Sequence, residues 1–355
     1  MLIDTVGNGS GSYSTSKYTM SVQPGQYMIR QSRRFHPYFS GKCQVVEDTF
    51  DSFELQSGVV KRVGYFSSSH TGTLSTNYDG YWLESNGVSG TFYLMAHRSG
   101  VETVSVPMEQ WTGYSKVQGY NWSNFTVMLS DFLWLGGAAL NLSLKIGNEF
   151  ACLHSVEYAG KHRDVFITSP NQPIRYEIRG ISGAGTLRDI CSQVGTEGSI
   201  AESGLSRWVD TGATGISLSG VGTTYPIKAI RKNDSFRDIA VAIIDTAIFV
   251  SSAADSIRWT LQINPILSAP LTYTGVTGSA VQEASGNGTI TVTQAGFIVA
   301  GNFQSTDLIS PTDTLKQNFL SYLGSTPLNV MDEYVLCATP ISASTVFGGI
   351  TYKEY

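Results

Sequence analysis

Six carboxylates gather early in the chain: Glu47, Asp48, Asp51, Glu54, Asp79 and Glu84. Glycoside hydrolysis is the chemistry they would serve, since it needs two carboxylates roughly 5–10 Å apart across a glycosidic bond. A sequence does not measure that separation, and carboxylates on strands and loops are expected to be exposed and solvated. Other chemistries are less complete. Gly180-Ile181-Ser182-Gly183 approaches the elbow of serine hydrolases, but Ala184 stands where the last glycine belongs, which reads as a flexible loop. The histidines, His36, His70, His97, His154 and His162, show no i, i+2 or i, i+4 ligand pair, and His154 falls on an apolar strand face as a core residue. Gly41-Lys42-Cys43 lacks the Ser or Thr of a phosphate loop, and Asn77-Tyr78-Asp79-Gly80 lacks the terminal Glu of a calcium loop. Cys43, Cys152, Cys191 and Cys337 lie far apart without a C-x-x-C pair, so free buried thiols are expected. No metal or cofactor is implied, and the chain does not read as an enzyme.

Aromatic side chains offer binding rather than reaction. Trp111, Tyr120 and Trp122 flank a polar loop and are the candidate glycan or partner contacts, with the loop over 67–80 as a second contact region. Trp82 belongs to the same aromatic set. The competing reading places such rings in the core with a polar tip at the rim.

The elements that must position these groups are strands. Residues 138–146 put Ala138, Leu140, Leu142, Leu144 and Ile146 on one side and Asn141, Ser143 and Lys145 on the other, the period-two pattern of a half-buried strand. Over 171–179, Ile174, Tyr176 and Ile178 alternate with Arg175, Glu177 and Arg179, so the apolar trio should face a core and the charged trio a wet face. Phe150, Cys152, His154 and Val156 share one face of a further strand. Short strands at regular spacing, with turn residues between them and almost no helical periodicity, predict an all-β chain of two β-sandwich, jelly-roll-like domains. One helix competes, opening at Ser310-Pro311-Thr312-Asp313 and closing at Gly324.

With 355 residues, two domains are the default. The expected division is an extended N-terminal arm over 1–34, a first sandwich over 35–207 and a second over 208–355, with the Gly/Ser/Thr-rich stretch 200–220 as the crossing. The arm carries a Gly/Ser run, then Tyr18 and the basic cluster Arg30, Arg33 and Arg34, read as assembly contacts. A net charge of −5 gives no long-range attraction to nucleic acid or anionic lipid. Charged residues make up only 14%, against roughly 25% in ordinary soluble domains, which fits a β-rich protein packed in an assembly or facing sugars. The start lacks a secretory signal pattern, and no apolar run is long enough for a membrane span.

The succession RFHPYFSGKCQVVEDTF, KRVGYF, DGYWLE, FLWLGGAALNLSLKIGNEFACLHS, SPNQPIRYEIR and ICSQVGTEGS, continuing through RWTLQINPIL and GFIVAGNF to GITYKEY, resembles a family of virion structural proteins of tailed phages, particularly from aquatic hosts. The resemblance implies a non-enzymatic particle component made in the host cytoplasm and located in the virion as head decoration, fibre or tail. Its partners would be other virion proteins and itself, in a homo-oligomer whose expected closure is a trimer. No functional residue carries over. The alternatives are a receptor- or carbohydrate-binding tail protein meeting a host surface glycan, a polysaccharide depolymerase and a double jelly-roll capsid protein.

Overall fold

The computed structural model describes residues 3–68, 75–134, 139–197, 204–251, 256–305, 313–314 and 322–355. It divides into two compact units, Ile3–Glu202 with Pro327–Asn329 and Ser203–Thr326 with Val330–Tyr355. Both are built from strands. Among the described residues the helical segments are short: Met108–Gln110, Tyr114–Val117 and Asp234–Phe236.

The first unit is a sandwich of two seven-stranded antiparallel sheets. One runs Ile3–Gly7, Tyr27–Ser32, Ile174–Gly180, Val59–Ser68, Tyr78–Asn86, Thr91–Arg98 and Val101–Pro107 in spatial order. The other runs Glu149–Glu157, Ala139–Ile146, Thr126–Phe132, Gln44–Asp51, Gly185–Thr196, Lys17–Val22 and Ser10–Ser14. Period-two patterning explains the layering: Leu140, Leu142 and Leu144 meet Tyr65, Tyr81, Ile174 and Ile178 in one core.

Residues 3–32 do not form an arm. They supply four strands to this sandwich, with Val6 opposite Ile29, Ile29 opposite Glu177, and Met20 opposite Leu187. Burial explains the difference: Met20, Val22, Met28 and Ile29 are core residues. The assembly contacts expected there are internal. Arg30 Nε lies 2.5 Å from Asp189 Oδ2 and its guanidinium sits 4.2 Å over the Tyr18 ring. Arg33 pairs with Asp4 at 3.8 Å, and Arg34 accepts a hydrogen bond from Ser32 Oγ through its carbonyl.

Three other expectations change. Leu153, not His154, enters the core, because a bulge opposite Leu142/Ser143 shifts the register and turns Phe150 and Cys152 to solvent. All four cysteines are free, but Cys152 and Cys191 are exposed and only Cys337 is buried. The expected 310–324 helix lies mostly outside the described residues; Asp313 and Thr314 are a short strand paired to Thr246 and Asp245.

In the second unit a five-stranded sheet is organised on Ser344–Glu354, which pairs with Leu205–Asp210 and Ile216–Leu218 along one edge and Val241–Val250 along the other. A six-stranded sheet faces it, in the order Thr274–Gly275, Val281–Ser285, Tyr225–Lys232, Tyr334–Pro340, Ser256–Ile263 and Phe297–Ser305. Val209, Ile248, Ile350 and Tyr352 pack with Ile227, Trp259, Leu261 and Leu336. The stretch expected to be a crossing thus contains two strands, Leu205–Asp210 and Ile216–Leu218.

Candidate functional site

The residues singled out for glycan contact are interior. Trp111 and Trp122 are only 3% and 5% exposed. Trp111 Nε1 donates to Val106 O at 3.0 Å, Trp122 stacks on Phe92 at 4.6 Å, and the half-buried Tyr120 meets Trp122 edge-on at 4.9 Å. Large rings at the end of a sandwich bury more apolar area than any other side chain, so packing claims them. Of the 67–80 loop, 69–74, including His70, lie outside the described residues.

The carboxylates are largely structural as well. Asp48, Asp51, Asp79 and Glu84 are buried, not solvated. Asp51 pairs with Lys17 at 2.7 Å and Arg188 at 3.2 Å, while Asp79 accepts from the backbone N–H groups of Ser99, Thr168 and Ser169. Glu84 and Glu177 lie on strands either side of Val59–Ser68, with Arg62 opposite both. Arg62 Nε donates to Glu84 Oε2 at 2.7 Å and its Nη1 to Glu177 Oε1 at 2.8 Å. Glu177 also receives Arg175 at 2.5 Å and Arg179 at 2.6 Å. Burial alone would raise the Glu177 carboxyl, but Arg175, Arg179 and Arg62, with the Tyr78 hydroxyl, hold it far below the usual carboxylate range. A group kept ionised in this way does not serve as a general acid. The trio expected on a wet face is therefore a dry ion lattice, in which Arg175 and Glu177 are fully buried.

An accessible constellation appears in the second unit. Val209, Ile248 and Ile350 point into its core, so their strand neighbours Trp208, Asp210, Ala247, Phe249, Phe347 and Gly349 share the outer face. Pairing brings them together across three strands: Asp210 opposite Gly349, Ala247 opposite Gly349 and Phe249 opposite Phe347. They line a cleft of about 370 Å³. Trp208 is 48% exposed and Phe249 56%; the Phe249 and Phe347 rings are 5.5 Å apart.

Each ring has a local reason for its place. A Cβ at position 349 would fall inside the Trp208 indole, so glycine there lets the indole lie across the strand backbone. Trp208 Nε1 donates to Asp210 Oδ2 at 2.7 Å, and the Gly212 N–H donates to Asp210 Oδ1 at 2.7 Å. These two donors, Trp208 first, hold the exposed Asp210 carboxyl below its ordinary pKa. Thr211 fastens the turn, its N–H donating to Gly348 O at 3.0 Å and its hydroxyl accepting from Gly348 N at 3.2 Å. The result is an exposed aromatic shelf, with the Phe249 and Phe347 rings tilted 43° to one another, beside a fixed anionic acceptor.

None of the shelf residues stood out in the sequence. The available signal was Trp208 and Asp210 two apart in SRWVD, on one face of any strand; Phe249 and Phe347 join them only through pairing. A second cleft in the same unit, about 690 Å³, is lined by Asn233, Phe236, Ser279, Glu354 and Tyr355 among others. Its Glu354 carboxylate is already engaged by the Ala280 N–H at 2.8 Å, by Ser279 Oγ and by Arg207 Nε at 3.3 Å. Among the described residues no His/Cys/Asp/Glu group is placed to hold a metal ion, and no helix is long and apolar enough to cross a membrane.

No family model and no curated protein matches the chain. Solved structures resemble it distantly. A legume lectin-like domain from Entamoeba histolytica is 11% identical with a TM-score of 0.34, covering 54% of this chain and 88% of that one. The exoplasmic/lumenal domain of VIP36 in a Ca2+/Man-bound form is 10% identical, TM-score 0.35, covering 57% and 86%. A Bacillus licheniformis β-glucanase is 11% identical, TM-score 0.33, covering 53% and 89%. Likenesses of this size fix neither a family nor a ligand.

Proposed function

We propose that the protein is a non-enzymatic carbohydrate-binding protein whose sugar platform is the Trp208–Phe249–Phe347 shelf. The observation that carries this reading is the indole of Trp208, half exposed and locked to Asp210. The apolar face of a pyranose presents slightly positive C–H groups that complement the negative face of an aromatic ring, while its hydroxyls demand acceptors at the ring's edge. The shelf supplies both, and because its rings and carboxylate are held in place before any ligand arrives, little ordering is lost on binding.

Trp208→Ala tests the platform. Sugar binding on an oligosaccharide array and by calorimetry should weaken by about five- to twelvefold, the equivalent of roughly 1–1.5 kcal/mol of lost stacking, with the melting temperature nearly unchanged because the ring is surface-exposed. Undiminished binding would remove the shelf from consideration.

A second reading, a self-assembling structural component of a tailed-phage virion, is favoured by another observation. The strand Phe297–Ser305 ends the six-stranded sheet, carries no charged residue and leaves Phe297, Ile298 and Phe303 exposed. Uncharged edges of that length are open to pairing with a further strand. The two readings are compatible, since a particle protein can also meet a host glycan.

A further inference from the structure

We infer that the shelf selects neutral, hydroxyl-rich sugars and rejects their acidic counterparts, a selectivity that rests on reading the shelf as a sugar platform. Among the cleft's lining residues Asp210 is the single ionisable group. Lys228, whose field reaches Asp210, is buried and paired with Glu283 at 2.6 Å. A carboxylate or sulfate on the ligand would therefore meet a fixed negative charge with no cation exposed in the cleft to balance it.

The carboxylate also dictates what a ligand must offer. Each Asp210 oxygen already takes one donor, Oδ2 from Trp208 Nε1 and Oδ1 from the Gly212 N–H, and keeps a second acceptor position. Two adjacent acceptor positions on one rigid group fit two neighbouring hydroxyls, each donating a charge-assisted hydrogen bond. A uronate can present hydroxyls too, but carries its own anion into the same field. Since Asp210 is exposed, that repulsion is screened by salt, whereas stacking on Trp208 is not.

The test compares fully methyl-esterified tetragalacturonate with the free acid, which differ in charge and in the ester methyl groups, together with cellotetraose and mannotetraose as neutral probes; only the charge part of the difference responds to salt. Calorimetry on the full chain at low salt should find the ester at least roughly tenfold tighter than the acid, with the ratio shrinking as salt rises. Asp210→Asn should weaken the neutral ligands and bring the ratio towards one; the salt titration on the unmutated protein needs no variant to fold. Acid bound as tightly as ester, or a ratio indifferent to salt and to Asp210→Asn, overturns the selectivity while leaving a Trp208-dependent platform standing. Absence of binding to every probe, or binding that survives Trp208→Ala, overturns the platform and the selectivity together.

Discussion

Asp48 shows how a single residue can set the pH response of the first sandwich. It is fully buried on the inner side of Gln44–Asp51, 3.4 Å from the Tyr176 hydroxyl. Burial pushes its carboxyl up to about 7, aided by the neighbouring charges of Asp189 and Glu47 and only partly offset by hydrogen bonds from Ser192 and Tyr176. In the unfolded chain the same group titrates near 3.8. Below that pH both states carry the proton and nothing is lost. Between about 4 and 7 the unfolded chain releases its proton while the folded one retains it, so stability falls as pH rises through that window, by on the order of 4 kcal/mol from this group alone. Urea unfolding at pH 5 and pH 8 should show Asp48→Asn flattening the decline and stabilising the protein at pH 8. An unchanged difference between the two pH values would place the titrating group elsewhere.

At the scale of elements, a strand's alternation told which side chains share a layer but not what each layer faces. Leu140, Leu142 and Leu144 read correctly as core because an apolar row has one stable destination. Arg175, Glu177 and Arg179 read as solvated for the same reason in reverse, yet their row is dry, since charges can be buried when they neutralise one another and the sequence does not reveal what lies over a face. Tyr18 and Arg30 were illegible differently: a Gly/Ser-rich lead-in looks like a loose arm until its strands find partners far along the chain, Asp189 and Tyr176 among them. The shelf is more scattered still, with Trp208, Phe249 and Phe347 separated by long stretches of chain and assembled by the register of three strands. The ion lattice carries its own expectation. Glu177→Gln keeps the volume but removes the carboxylate that Arg62, Arg175 and Arg179 share, and should destabilise the fold by about 3–5 kcal/mol in chemical denaturation. A loss below about 1 kcal/mol, typical of exposed pairs, would mean that water reaches the lattice.

For the whole molecule the question is how so many strands avoid joining those of another copy. In the first unit the edge strands are blunted: Ile3–Gly7 carries Asp4, Val101–Pro107 carries Glu102, and Glu149–Glu157 has a carboxylate at each end. The remaining edge, Ser10–Ser14, is short and polar apart from Tyr13. In the second unit Leu205–Asp210 carries Arg207 and Asp210, and the edges Thr274–Gly275 and Asp313–Thr314 are two residues each. Phe297–Ser305 departs from this pattern, nine residues without a charge and with Phe303 65% exposed. One of its N–H groups, that of Phe303, is occupied by Asn302 Oδ1 at 2.8 Å, a contact that an incoming strand would have to displace. An antiparallel partner supplied by a second copy would be related by a two-fold axis, which closes as a dimer and not as a trimer. Sedimentation at rising protein concentration should therefore reveal a reversible dimer. Phe303→Lys, which places a charge on each copy at the seam, should return it to monomer with the melting temperature preserved. If the unmodified chain stays monomeric at its highest soluble concentration, this edge does not drive assembly, and a structural role in a particle would need another surface.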